Sequence, residues 1–280
     1  MPAFETPEPI SVVIDMGAGD VEILAEDRTD TVVEVQPSDD TDESDVKAAE
    51  QVSVEYAEGV LTIRTPKSKK LDLSRKTRSV DVSIVVPSGS ALRAEAEVAD
   101  LHGSGRLGEC TYKTSVGHIQ LDRTGPLRLK TGGGRITVAG VDGDAEFITG
   151  TGRIRVGEVS GAVVARNSNG RTEIREVTGD IRIRCANGDI AVERARGAST
   201  EAETANGSIR IGEVTRGTVE LKTSTGDLEI GLGAGLPAKL DLSTGYGRVF
   251  NTLESVAESS EQSIAVRGKT SYGDITVHRA

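Results

Sequence analysis

One short phrase recurs along this chain at a nearly constant stride, and the stride restricts the fold before any single residue is considered. The copies read "TSVGHIQL", "TGGGRITV", "TGTGRIRV", "NSNGRTEI", "CANGDIAV", "TANGSIRI", "TSTGDLEI", "STGYGRVF" and "TSYGDITV". Their shared glycines are Gly117, Gly134, Gly152, Gly170, Gly188, Gly207, Gly226, Gly247 and Gly273. Successive glycines lie 17, 18, 18, 18, 19, 19, 21 and 26 residues apart. Weaker copies surround Gly19 in "MGAGDVEI" and Ala99 in "AEVADLHG". Self-similarity at such a period marks a repeat architecture, in which each copy buries its apolar face only by stacking on its neighbours.

Each copy has a second apolar beat ahead of its glycine, as in Leu127/Leu129, Ala145/Phe147, Val163/Ala165, Ile181/Ile183, Val219/Leu221 and Leu240/Leu242. Alternation at period two describes strands with one buried face. Between the beats a lone valine recurs, Val141, Val159, Val177 and Val214, placed to point inward at a corner. The pairs Asn169-Gly170, Asn187-Gly188 and Asn206-Gly207 raise an antiparallel meander as one arrangement, because Asn-Gly favours tight hairpins. The beats are short and lack cross-strand aromatic pairs, which favours a parallel solenoid with like aliphatics stacked about 4.8 Å apart. The expected fold is all-β: a single parallel β-solenoid of about 18 residues per coil over residues 91–280, preceded by an irregular β-rich region with one short helix. Glycine and asparagine then serve as corner residues, tolerant of positive φ.

Residues 1–90 form the expected N-terminal cap, with coil-like strands near 11–24. "VSVEYAEGVLTIRTP" predicts a hairpin over 51–65 turning at Glu58-Gly59, and "RSVDVSIVVPSGS" a longer strand. "ESDVKAAEQV" predicts a short helix with Ser44 as its N-cap. The basic stretch "RTPKSKKLDLSRKTR", residues 64–78, reads as a solvated loop.

With no tryptophan, three phenylalanines and four tyrosines, the core must be aliphatic, and a glycan groove built on aromatic platforms is disfavoured. The net charge is −11, and residues 1–60 hold seventeen Asp and Glu against Arg28 and Lys47, a balance that repels nucleic acid and anionic lipid. The N-terminus shows neither a basic n-region nor an apolar h-region, and no integral membrane segment is expected; the expected location is cytoplasmic. Cys110 and Cys185 lack CxxC spacing and fit reduced, buried thiols.

No catalytic set emerges. Carboxylates such as Glu173 and Asp189 fall on neighbouring coils, as a glycosidase pair would, but a charged solenoid surface supplies such neighbours by chance. His102, His118 and His278 share no metal-ligand spacing. The acidic run "SDDTDESD", residues 38–45, lacks the EF-hand pattern, and "GGG" at 132–134 is followed by no βαβ unit, so neither metal nor cofactor is expected. Thr114, Thr149, Thr204, Thr223 and Thr270 share one repeat phase and predict a structural hydroxyl ladder.

The candidate ligand or partner site is a cationic stripe. Arg135, Arg153 and Arg171 follow the repeat glycine on successive copies, with Arg155 two places beyond Arg153, placed to meet phosphate or carboxylate groups. Glu146, Glu173 and Glu176 are the residues that would neutralise it. At the far end the repeats stop at "TSYGDITVHRA" with no capping element in view, so self-association through an open C-terminal coil is expected.

The "GDVEI" near the start, the "VSIVVPSG" strand and the run of T-x-x-G-x-I-x-V copies together resemble the DUF4097 group, a "putative adhesin" family of β-strand repeats, over nearly the whole chain. The resemblance implies the repeat fold and brings no catalytic residues. Many related chains carry signal peptides or membrane segments, from which this N-terminus departs. The expected function is a non-enzymatic scaffold working through protein association. The alternatives are an adhesin-like binder of anionic or glycan ligands at the cell envelope and a polysaccharide-active β-helix enzyme.

Overall fold

The computed structural model describes residues 2–65, 78–253 and 263–280. Most of the basic stretch 64–78 lies outside the described residues. The chain divides into two compact units, residues 1–139 and 140–280.

The first unit holds β1 (Ala3–Glu5), β2 (Ser11–Glu26), β3 (Asp30–Pro37), α1 (Glu43–Glu50), β4 (Ser53–Ala57), β5 (Val60–Arg64), β6 (Val80–Pro87), β7 (Ala91–Arg106), β8 (Cys110–Val116), β9 (Ile119–Thr124), β10 (Leu127–Gly133) and the start of β11 (Ile136–Val141). The sixteen-residue β2 carries both beats of the first coil and pairs in parallel with β7 from Ser11↔Ala91 to Ala25↔Gly105. On its other edge β2 takes β5 and β6 in parallel, and antiparallel partners β4 and β3 complete the irregular start. The hairpin expected at Glu58-Gly59 is present, with φ of 50° and 75° at the two turn residues.

One expectation needs correction here. The N-cap of α1 is Asp42, whose Oδ1 accepts from Ser44 N–H at 2.7 Å, so Ser44 is a recipient of the cap. A carboxylate outcompetes the hydroxyl because it also answers the partial positive charge of the helix start.

The second unit contains β12 (Ala145–Thr151), β13 (Ile154–Val159), β14 (Val163–Asn169), β15 (Thr172–Val177), β16 (Ile181–Asn187), β17 (Ile190–Ala195), β18 (Ser199–Asn206), β19 (Ile209–Val214), β20 (Thr218–Thr225), β21 (Leu228–Leu232), β22 (Ala238–Tyr246), β23 (Val249–Asn251), β24 (Ile264–Tyr272) and β25 (Ile275–Arg279). Every pairing here is parallel, one coil to the next, which excludes the meander. Register places Ala145, Val163, Ile181, Thr200, Val219 and Val266 in one inward column and Ile154, Thr172, Ile190, Ile209, Leu228 and Ile275 in another. The corner valines Val141, Val159, Val177 and Val214 are buried as expected. The core is therefore a stack of small aliphatic rungs, each shielded from water by the rung above and below.

The order of the last coils departs from the sequence. β24 pairs with β20 on one side and β22 on the other, and β25 lies likewise between β21 and β23. Among the described residues the open coil is therefore 238–251, and the C-terminal strands occupy the position inside it. The expectation that the C-terminal coil is the open one is corrected on this point. Burial explains the order: Ile264, Val266, Ile275 and Val277 are at most 2% exposed, whereas Val249 is 44% exposed. The strands richer in β-branched residues take the two-sided position. Leu242 also reaches over Gly268, where an added Cβ would meet its Cδ2 at 3.0 Å. Arg279 secures the stride of the 233–237 connection, donating from Nη1 to Gly233 O at 3.0 Å and Leu236 O at 2.8 Å.

Candidate interaction site

Coil-to-coil bonding engages most of the groups that sequence reasoning singled out. Of the predicted threonine ladder, Thr204, Thr223 and Thr270 donate from Oγ1 to the carbonyls of Gly188, Gly207 and Gly226, at 3.1, 2.9 and 3.0 Å, and Thr114 donates to Val116 O at 3.0 Å, whereas Thr149 Oγ1 is buried with no hydrogen-bond partner among the described residues. Asn167 takes the same rung position and donates to Gly152 O at 2.9 Å, and Cys185 sits on the next rung, 3.6 Å from Thr172 Oγ1. Except at Thr149, these threonine hydroxyls are buried donors to the corner backbone, as expected of structural groups. Outside them runs an amide ladder, with Asn187 Nδ2 donating to Asn169 Oδ1 and Asn206 Nδ2 to Asn187 Oδ1, both at 2.9 Å. It leads into stacked rings at Tyr272 and Tyr246, 5.0 Å apart and 4° from parallel.

The candidate arginines divide. Arg135 belongs to the first unit, and its backbone N–H donates to His118 Nδ1 at 2.9 Å; the side chain is exposed. In the second unit Arg155 and Arg171 both pair with Glu173, at 3.3 and 3.0 Å, so the predicted neutralisation holds there. Arg153 is exposed. The other two glutamates face different partners: Glu146 pairs with Arg166, while Glu176 holds Arg194 and Arg196 at 2.8 and 2.7 Å. Burial pulls the Glu201 carboxyl up, but hydrogen bonds and charge from Arg184 and Arg182 outweigh it and hold the group below its ordinary value.

His102 and His118 are exposed, and His278 pairs with Glu229 at 3.2 Å. In the acidic run Asp42 caps α1 and Asp45 is buried, accepting from Ser79 N–H at 2.8 Å. Among the described residues no group of His, Cys, Asp and Glu is placed to hold a metal ion, and no helix is long and apolar enough to cross a membrane. Both cysteines are free thiols; burial pushes Cys110 up to about 12 and raises Cys185 as well.

Sequence reasoning found the coil 238–251 as a repeat copy but missed that it lies at the open end. Its inward residues Leu240 and Leu242 are only half-buried, and Tyr246, Val249 and Phe250 are 72, 44 and 44% exposed. Outward along β22 stand Lys239 and Asp241, the latter 3.2 Å from Arg267 of β24. The available signal was the lengthening of the stride to 21 and 26 residues around Gly247.

This geometry defines a parallel β-solenoid whose polar side chains chiefly bind one coil to the next. The chain belongs to the Toastrack DUF4097 family, whose model matches residues 10–279. The chain is also similar to three solved structures. A "putative cell adhesion protein" from Clostridium sporogenes is 12% identical, with 100% of this chain and 98% of that one covered and a TM-score of 0.23. A "putative adhesin" from Bacteroides fragilis is 14% identical over 99% and 95% of the two chains with a TM-score of 0.35, and one from Parabacteroides distasonis is 15% identical over 100% and 95% with a TM-score of 0.34. No curated protein sequence matches the chain.

Proposed function

We infer that the chain is a non-enzymatic scaffold that works through protein association. The observation that carries this reading is the open coil, where the free edge of β22 runs beside exposed Tyr246, Val249 and Phe250. An unpaired strand edge flanked by apolar side chains is a template for another chain. Hydroxyls along the corners and arginines along the flanks are largely engaged within the coils, which fits a surface that presents shape rather than reactive groups. Two free thiols accord with a reducing compartment such as the cytoplasm.

A second reading rests on the exposed Arg135 and Arg153: an adhesin-like binder of anionic or glycan ligands. Immobilised chain challenged with a native lysate, and in parallel with a glycan array, separates the two. Saturable protein capture that survives changing Arg135, Arg153, Arg155 and Arg171 to glutamine supports association. Array binding abolished by those changes, with no protein captured, would replace it by the second reading.

A further inference from the structure

Resting on the association reading, we propose that the open coil pairs with the open coil of a second copy of this chain, β22 against β22 antiparallel about a twofold axis at Leu240. The argument begins with charge. Register aligns Glu220 of β20, Arg267 of β24 and Asp241 of β22 in one outward column. The signs alternate up to the free edge and end on an anion, so the next strand is favoured by a cation beside Asp241. Antiparallel pairing about Leu240 sets Lys239 of each copy opposite Asp241 of the other and supplies that cation twice.

The same register is sound for the backbone. Ile264 N–H donates to Pro237 O at 2.9 Å, which fixes the phase of the β22–β24 ladder. In that phase the N–H groups of Ala238, Leu240 and Leu242 face the free edge. The axis then falls on a hydrogen-bonded Leu240 pair, with Ala238 and Leu242 bonded on either side. Lys239 and Asp241 occupy the non-hydrogen-bonded position, where side chains approach most closely. Shifting the axis by one residue places Asp241 opposite Asp241, a like-charge contact that disfavours that register.

The net charge of −11 opposes self-contact in general, yet residues 238–251 carry Lys239 and Arg248 against Asp241 alone. This coil is therefore a place where two copies meet without repulsion. Pairing also covers the half-buried Leu240 and Leu242 and the exposed Val249, which no strand of their own chain covers on that side among the described residues. A twofold contact of this kind is closed, so assembly stops at two.

Sedimentation of the full chain at about 100 µM tests this, with fold integrity followed by circular dichroism. The expected species has twice the chain mass. Lys239→Asp and Asp241→Lys each turn both contacts repulsive, so either variant alone weakens pairing at least about tenfold. An equimolar mixture of the two variants restores the double-mass species, because each chain then meets its complement at both positions. A monomeric wild type, growth beyond two chains, unchanged assembly in both variants, or no rescue on mixing overturns the proposal. A monomeric wild type that still captures protein from a lysate overturns the self-pairing while leaving the broader association reading in place.

Discussion

Alanine at Gly207 should cost far more than alanine at Gly59, although both glycines hold positive φ. Gly59 has φ +75° and nothing within 4 Å of an added Cβ. Its replacement meets only the torsional penalty of a left-handed residue, about 1–2 kcal/mol. Gly207 has φ +149°, and an added Cβ would lie 2.2 Å from Gly188 O and 2.5 Å from its carbonyl carbon. The neighbouring coil must move by about 0.8 Å to restore the 3.0 Å that Cβ atoms tolerate. That movement strains Gly188 N–H to Asn206 O at 2.8 Å and Ser208 N–H to Asp189 Oδ1 at 3.0 Å, each contributing about 1 kcal/mol. Backbone strain of about 1–3 kcal/mol adds to this. The total for Gly207→Ala is about 3–5 kcal/mol, about 1–4 kcal/mol beyond Gly59→Ala. Urea titration of both variants followed by far-ultraviolet circular dichroism reads the difference, and native-state hydrogen exchange locates it at the corner amides. Equal midpoints, or a milder effect at Gly207, would refute the claim that close coil contact, rather than torsional preference, fixes these glycines.

Burial raises the Tyr112 phenol to about 12 from 10.0, and its hydroxyl donates to Ala99 O at 2.8 Å. The folded state therefore keeps a proton that the unfolded state releases, and about 2–3 kcal/mol present below pH 10 is lost between pH 10 and 12. Tyr112→Phe should remove that part of the alkaline slope while costing about 1 kcal/mol at neutral pH, as read by denaturation across pH. Arg155→Gln with Arg171→Gln should change stability by no more than about 1 kcal/mol, since both pairs with Glu173 are exposed on the arginine side; a larger drop in urea midpoint would contradict this. Ending the chain after Leu253 removes the strand partners that β22 and β23 have among the described residues and uncovers Val219, Leu221, Leu228 and Ile230. That shortened chain should aggregate or lose protection from exchange through β20 and β21, and intact protection there would count against the observed strand order.

Much of the fold was readable because a solenoid repeats one local decision many times. The stride of Gly152, Gly170 and Gly188 fixed coil length, and alternation in segments such as "IRIRC" fixed the inward face, since both depend on contacts one coil away. The N-cap of α1 was misplaced because Asp42 and Ser44 both suit the role and only geometry ranks them. Strand order at the end was not readable for a different reason. "STGYGRVF" and "TSYGDITV" have the same corner chemistry, so period alone cannot say which is sandwiched; burial of Ile264 and Ile275 against exposure of Val249 decides it. The arginine stripe was drawn from spacing, which placed Arg155 and Arg171 correctly on neighbouring coils but could not show Glu173 gripping both. Lys239 and Asp241 went unnoticed because their interest depends on lying at a free edge.

The inverted order of the last two coils separates the sequence of synthesis from the sequence of assembly. A growing solenoid can add each coil to the one just completed, but residues 238–251 find no neighbour until Ile264–Tyr272 and Ile275–Arg279 have been made and fitted beneath them. Until then Tyr246, Val249 and Leu240 wait as an unattached loop while β20 and β21 stand open. The last coil to become attached is thus the last but one to be made, and the time between the two events leaves β20 and β21 open to proteases and to other chains.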